Sequence, residues 1–310
     1  MNHEIIGPGG RRNMKKTLLI VNPVAGRQKI RTALVDVVDA LVKAGHEITI
    51  YTTQKDTDPC EIVREKSGLY DYVVCSGGDG TFSEILSATM EWQPRPVLGY
   101  IPCGTTNDFA SGLGLSTDCR SAALEIAFGV PHTFDAGRLN DRYFSYVASF
   151  GVFTEASYQT PQEMKNTFGY MAYLLEGIKE LTSIKEIPVR IETKDQIIED
   201  TFVFGAITNA RTVGGLFRLK EDAVDLNDGL LEVMMVRLPR TPMDLSALVT
   251  AVNMMNYDSP LFVHFQTDAL KITAQEPLTW TIDGERFSGQ ETDEIVCVKD
   301  AFRLMMRKEL

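Results

Sequence analysis

From Thr17 onward the chain repeats one unit four times: an apolar segment, a turn, and a segment with helical spacing. Thr17–Asn22 is a continuous apolar run, the signature of a strand covered on both faces. After the turn at Pro23–Arg27, Ala33, Leu34, Val37, Val38, Leu41 and Val42 recur at helical intervals within Ile30–Lys43, and Gly45 reads as the stop. The second cycle is a strand over His46–Thr53 and a helix over Cys60–Gly68. The third is Tyr70–Cys75, a turn at Gly77–Gly80, and a helix over Ser83–Met90. The fourth is Val97–Ile101, a glycine turn, and a helix after Thr106. Strands alternating with helices in this way predict a parallel sheet with helices on both faces.

The pattern changes near Asp135–Asn140. Beyond it, turn-punctuated segments at Tyr143–Phe153, Val189–Thr193, Thr201–Thr208, Leu230–Arg237, Phe262–Thr267, Ala269–Ala274 and Leu278–Ile282 predict antiparallel strands. Helical stretches interrupt them at Pro161–Thr182 and Pro242–Asn256. We therefore expect two domains: an α/β domain over 15–138, to which residues 295–310 return, and a β-rich domain over 139–294. Residues 1–14, with Gly-Pro-Gly-Gly and no apolar core, are expected to be a disordered lead-in rather than a signal peptide, with Met14 an alternative start.

Composition narrows the partners. Forty-two acidic residues against 31 basic ones leave a net charge of −11, which disfavours non-specific nucleic-acid binding through phosphate neutralisation. No run of about 18 apolar residues occurs, so no membrane span is expected. Five scattered cysteines (Cys60, Cys75, Cys103, Cys119, Cys297) with no CxxC pair suit reduced thiols in a cytosolic protein. The four histidines lack metal-ligand spacing, and His46 reads as a surface turn residue.

Three glycine-bearing turns follow strands of the expected parallel sheet, at the edge where open α/β sheets place ligands. They are Asn22-Pro23-Val24-Ala25-Gly26, Gly77-Gly78-Asp79-Gly80-Thr81, and Pro102-Cys103-Gly104-Thr105-Thr106-Asn107-Asp108. Glycine lets the backbone approach a phosphate and turn its N–H groups inward, and the following helix presents its positive end to the same point. Thr81 can donate to a phosphate oxygen, and Asp79 can hold Mg²⁺ directly or through water. Taken alone, Gly77–Thr81 reads equally as a strand–helix turn whose Asp caps the helix. It is neither a Walker A loop nor a dinucleotide fingerprint. The second Gly-Thr turn with its own Asp makes a shared phosphate-binding role the better reading, with Asn22 and Gly26 as a third wall.

Asn22-Pro-x-x-Gly26, Gly77-Gly78-Asp79-Gly80-Thr81-x-x-Glu84 and Pro102-x-Gly104-Thr105-x-Asn107-Asp108-Phe109-Ala110 resemble the diacylglycerol kinase catalytic family of lipid kinases, which includes bacterial diacylglycerol kinases and sphingosine kinases. GGDGT is shared with NAD kinases and 6-phosphofructokinases, whereas GTxNDFA is far more specific. The likeness runs through most of 17–305. It implies an α/β protein of two domains: a Rossmann-like parallel sheet of the NAD kinase/phosphofructokinase type, then an antiparallel β-sandwich.

The same resemblance implies site residues. Asn22, Pro23, Gly26, Thr53, Gly77, Gly78, Asp79, Gly80, Thr81, Gly104, Thr105 and Asn107 would hold ATP. Asp79, Asp108 and Asp135 would form an acidic network. Asp228, with main-chain oxygens of Asp225 and Leu230, would hold a structural Mg²⁺, although an Asp-Gly hairpin needs no metal and this loop departs from the family in length and in Glu221. Asn209 and Gly214-Gly215 resemble a loop facing the cleft. In Trp280–Glu285, Asp283 and Glu285 are the catalytic pair, either of which could accept the hydroxyl proton during phosphoryl transfer. The aromatic stripe within Tyr158–Leu181 reads as core or as the wall of an acyl groove.

These readings lead to an ATP- and Mg²⁺-dependent lipid kinase, with MgATP in the cleft between domains and diacylglycerol the leading substrate at the inner leaflet of the membrane. The protein is expected to be cytoplasmic and transiently peripheral. Undecaprenol, a sphingoid base or phosphatidylglycerol are alternative acceptors; NAD kinase and a nucleotide- or lipid-sensing module are alternative classes. A homodimer stays open.

Overall fold

The computed structural model describes residues 14–26, 28–54, 59–66, 68–105, 107–152, 186–210, 212–213, 217–218 and 225–308. Residues 1–13 of the lead-in, the stretch containing Pro161–Thr182 with its aromatic stripe, Thr106, Gly214-Gly215 and Glu221 lie outside the described residues. The chain divides into two compact units. The first is drawn from residues 1–107, 115–132 and 303–310, the second from 108–114 and 133–302.

The first unit contains β1 (Lys15–Val21), α1 (Lys29–Lys43), β2 (His46–Thr52), α2 (Pro59–Glu65), β3 (Tyr72–Gly77), α3 (Asp79–Thr89) and β4 (Val97–Pro102). A short α4 (Asp108–Gly112) belongs to the second unit, and α5 (Cys119–Phe128) returns to the first. The strands run parallel in the order β2-β1-β3-β4. Beside β4 lies the end of the last strand, where Arg303 and Leu304 pair with Val97 and Leu98.

The continuous apolar runs place side chains on both faces of this sheet. Leu19, Val21, Val74 and Ile101 form one buried cluster with Ile30, Val37 and Leu41 of α1 and Ala122, Ala123 and Ile126 of α5. Tyr100 points to the opposite face and stacks on Phe82 of α3, with ring centroids 4.7 Å apart.

His46 departs from expectation. It is 1% exposed, shares a 2.6 Å hydrogen bond between Nδ1 and Thr17 Oγ1, and lies edge-on to Tyr72. Burial, then the nearby Lys15 charge, lowers its pKa to about 4, so the ring is held neutral.

The second unit holds most of the remaining elements. They are β5 (Val130–Leu139), β6 (Arg142–Phe144), β7 (Val147–Gly151), β8 (Ile187–Glu192), β9 (Ile197–Phe202), β10 (Phe204–Thr208), β11 (Thr212–Val213), β12 (Phe217–Arg218) and β13 (Leu231–Val236). There follow α6 (Pro242–Met254), β14 (Phe262–Thr267), β15 (Ala269–Ala274), β16 (Thr279–Ile282), β17 (Glu285–Ser288) and β18 (Thr292–Met306). β5 and β18 each carry the chain from one unit to the other.

Six antiparallel strands run β14-β13-β10-β7-β16-β17. A second layer pairs the start of β18 with β15, then β8 and β9. Phe150, Ile207, Val233 and Trp280 of the first layer share a core with Ile191, Phe202, Ile272 and Ile295 of the second, which makes a β-sandwich.

Two predicted strands are broken. Thr201–Thr208 divides at Val203, where the chain leaves β9 for β10 in the other layer; Val203 donates to Val236 and accepts from Val152 there. Tyr143–Phe153 divides at Ser145–Tyr146, whose amides turn away to a carboxylate. That carboxylate belongs to the candidate site.

Candidate active site

In the first unit the three glycine turns interlock. Asn22 follows β1, donates from its backbone to Ser76 O at 2.7 Å, and reaches Thr81 Oγ1 with Nδ2 at 3.2 Å. Its Oδ1 accepts from Val24 N at 3.2 Å, and the Pro23 carbonyl accepts from Arg31 Nε at 3.1 Å. Thr53 donates to Val21 O at 2.9 Å beside the same strand end. Gly26 adopts φ +51°, and a Cβ there would lie 2.2 Å from the Cys103 carbonyl oxygen. Cys103 N donates to Gly77 O at 2.7 Å. A Cβ on Gly104 would lie 2.7 Å from Gly78 Cα and 2.6 Å from Asn107 Oδ1. These glycines are required by the approach of backbone to backbone.

Asn107 explains how the third turn keeps its shape. Its Oδ1 accepts from Gly104 N at 2.8 Å and its Nδ2 donates to Gly104 O at 3.0 Å, with Asn107 itself in the left-handed region at φ +51°. Asparagine tolerates that conformation and supplies both a donor and an acceptor.

The helix after the second turn begins at Asp79, four residues before the expected Ser83. Gly78 is its N-cap, in extended conformation and without a side-chain cap. Asp79 therefore does not cap the helix. It sits in the first turn with Gly80 and Thr81, where backbone N–H groups have no intrahelical acceptor. Its 8%-exposed carboxylate accepts from the Tyr100 hydroxyl at 3.1 Å. Burial, then the Asp79 charge, raises the Tyr100 pKa, so the phenol stays a donor. A carboxylate in the first turn of a helix is a chemically suitable partner for Mg²⁺ on a bound phosphate.

In the second unit Asp283 and Gly284 form the two-residue turn between β16 and β17, at φ +47° and +92°. Two successive positive φ values define the hairpin turn that Asp-Gly favours. Asp283 is 2% exposed. Oδ2 accepts from Ser145 N at 2.6 Å and Ser145 Oγ at 2.9 Å; Oδ1 accepts from Tyr146 N at 3.1 Å and Val147 N at 3.0 Å. A carboxylate has about four lone-pair sites, and four donors meet them. Glu285 is different: its side chain is 42% exposed, and Oε2 pairs with Arg142 Nη2 at 3.0 Å. Neither Arg142, on β6, nor Tyr100, on β4, stands in a motif that marks it in the sequence.

The remaining predicted residues lie in the same unit. Asp135 is fully buried; Oδ2 accepts from Gly229 N at 2.7 Å and Oδ1 from Asp300 N at 2.8 Å. Asn209 Nδ2 donates to the carbonyls of Asp135 and Leu226, at 2.9 and 3.3 Å. Asp225 Oδ1 accepts from Asn227 N at 3.1 Å and Asp228 Oδ1 from Leu230 N at 2.9 Å, so this loop is closed by hydrogen bonds of its own. Among the described residues no three His, Cys, Asp or Glu side chains gather as a metal site. Asp108 opens α4, where burial raises its pKa.

Residues 16–139 match the model of the diacylglycerol kinase catalytic domain, and 147–306 match the YegS C-terminal NAD kinase beta sandwich-like domain. A diacylglycerol kinase of Bacillus subtilis is 29% identical over 96% of this chain and 98% of its own length. One from Staphylococcus saprophyticus is 32% identical over 87% of this chain and 89% of its own. The crystal structure of a diacylglycerol kinase from Bacillus anthracis superposes with a TM-score of 0.74 at 22% identity, over 96% of this chain and 98% of that one, which shows a shared fold. With both halves matched and the relatives aligned almost end to end, this chain belongs to the diacylglycerol kinase catalytic-domain family of kinases.

Proposed function

We propose that the protein transfers the γ-phosphoryl group of ATP to the hydroxyl of diacylglycerol, giving phosphatidic acid and ADP. The observation that carries the nucleotide half is the interlocked set of glycine corners at Gly26, Gly77-Gly78 and Gly104. Backbone packed this tightly is already organised, so holding a triphosphate costs little reordering. Asn22, Pro23, Thr53, Gly80, Thr81, Thr105 and Asn107 complete that side, and Asp79 is the residue that would hold Mg²⁺, which would neutralise charge on the phosphates. The relatives' names favour diacylglycerol as acceptor.

Of the two carboxylates in the Asp-Gly-Glu turn, only Glu285 has lone pairs to offer a substrate proton. Glu285 is the general base. It takes the hydroxyl proton as that oxygen bonds to the γ-phosphorus, while the bond to the bridging oxygen of ADP breaks. Asp283 holds the turn through Ser145–Val147, and Arg142 holds the Glu285 carboxylate in one orientation. Asp135 ties the Asp228-Gly229 turn to Asp300. The lipid is met at the inner leaflet by peripheral association; among the described residues no helix is long and apolar enough to cross a membrane.

The test is to incubate the protein with γ-labelled ATP, Mg²⁺, and vesicles carrying diacylglycerol, undecaprenol, phosphatidylglycerol and a sphingoid base, with NAD in the same buffer. Label is expected in phosphatidic acid. Label confined to another lipid would change the acceptor, and label in NADP would overturn the lipid reading.

A further inference from the structure

Two buried thiols stand directly behind the phosphate corners of the first unit. Cys103 lies between the end of β4 and Gly104, and Cys119 is the first residue of α5. They are 1% and 3% exposed, and their sulfurs are 3.3 Å apart. Ser76 Oγ lies 3.4 Å from the Cys103 sulfur. Cys60, by contrast, is spent on the Glu84 carbonyl at 3.1 Å. A disulfide needs a separation of about 2.05 Å, so the pair is roughly 1.3 Å from bonding distance.

We propose that Cys103 and Cys119 form a reversible disulfide under peroxide, and that its formation loosens the grip of the three glycine corners on nucleotide. The first half stands on the thiol pair alone; the second rests on the nucleotide reading given above.

The chemistry balances with hydrogen peroxide as oxidant. The Cys103 thiolate attacks one peroxide oxygen, the O–O bond breaks, and the departing hydroxide takes a proton to become water. The resulting sulfenic acid is attacked by the Cys119 sulfur, which loses its proton as the S–O bond breaks and the second water leaves. Two thiols and one peroxide give one disulfide and two waters, the sulfurs losing two electrons to the peroxide bond. Cys103 is the attacking member. The hydrogen bond from Cys119 holds its thiol below the ordinary range against the opposing effect of burial, and Ser76 and the Lys29 charge act in the same direction.

The coupling follows from what else Cys103 holds. Its N–H binds Gly77 O, its carbonyl is the atom that excludes a Cβ from Gly26, and its neighbour Gly104 packs on Gly78. Cys119 is the less mobile partner. It begins a helix N-capped by Asp118 and packed into the core through Ala122, Ala123 and Ile126. Closing the sulfurs therefore draws Cys103 toward the helix, and all three corners shift with it.

The test uses the full-length chain. After peroxide and then alkylation, peptide mass spectrometry is expected to find Cys103 linked to Cys119, and dithiothreitol to reverse the link. The oxidised protein is expected to bind ATP at least about tenfold more weakly, with recovery on reduction. Cys119→Ser should bind ATP as the parent does and keep its affinity after peroxide. Free, alkylatable thiols throughout, or only over-oxidised Cys103, would overturn the disulfide. A linked pair with unchanged ATP affinity would overturn the coupling. Failure of the reduced protein to bind ATP at all would instead end the nucleotide reading and the coupling with it, while the linked peptide still decides the disulfide.

Discussion

Replacing Glu285 by Gln is expected to lower kcat by roughly 10²–10⁴-fold while leaving ATP affinity within about twofold of the parent. The amide keeps the shape and the polarity of the side chain but cannot accept the hydroxyl proton. The half-exposed carboxylate and its Arg142 partner contribute little to stability, since ion pairs at this exposure are worth about 0–1 kcal/mol, so the variant should fold normally. Arg142 supplies a second arm. Arg142→Ala should lower kcat about tenfold in the parent and have no further effect in the Glu285→Gln background, because it acts through the same carboxylate. Parental turnover by Glu285→Gln would remove Glu285 from the mechanism. Independent, multiplying losses would give Arg142 a role of its own.

Asp283→Ala, two residues away, is expected to fail differently, by losing about 3–5 kcal/mol of folding stability. Three backbone amides and one hydroxyl, all buried, would lose their acceptor together. Alanine would also be forced to φ +47°, a conformation that suits Asp, Asn or Gly. Urea unfolding of the second unit's signal should show a lowered midpoint for this variant and a parental midpoint for Glu285→Gln. If Asp283→Ala instead folds within about 1 kcal/mol of the parent yet has no activity, Asp283 would be the chemical group and the assignment of roles within the turn would reverse.

The two carboxylates show where sequence reading succeeds and stops. The Asp-Gly dipeptide between apolar runs marks a tight hairpin by local rules alone, and the structure places one there. What each carboxylate touches depends on Ser145–Val147 and Arg142, which are 136 to 143 residues distant, and no spacing encodes that. The parallel sheet was legible for the opposite reason: runs such as Thr17–Val21 and Val73–Cys75 carry no polar face to hide. Local sequence misleads where a polar residue meets a partner beyond its own segment. His46 looked like a surface turn residue until Thr17 of the neighbouring strand supplied a hydroxyl. The helix after Gly77-Gly78 starts earlier than its sequence suggests: Asp-Gly reads as turn, yet Gly78 supplies the extended cap and Gly80 is absorbed into the first helical turn. The glycine corners themselves were visible in the sequence. Their interlocking through the Cys103 carbonyl and the Gly78–Gly104 contact was not.

Those corners are expected to grip a triphosphate, and calorimetric titration of ATP in Mg²⁺ into the parent and into Gly104→Ala tests this directly. The added methyl would meet Asn107 Oδ1 and Gly78 Cα at 2.6 and 2.7 Å, so the second and third turns must part. The expected result is saturable binding by the parent and at least about tenfold weaker binding by a folded Gly104→Ala protein. No binding by the parent, or equal affinity in the two proteins, would contradict the account.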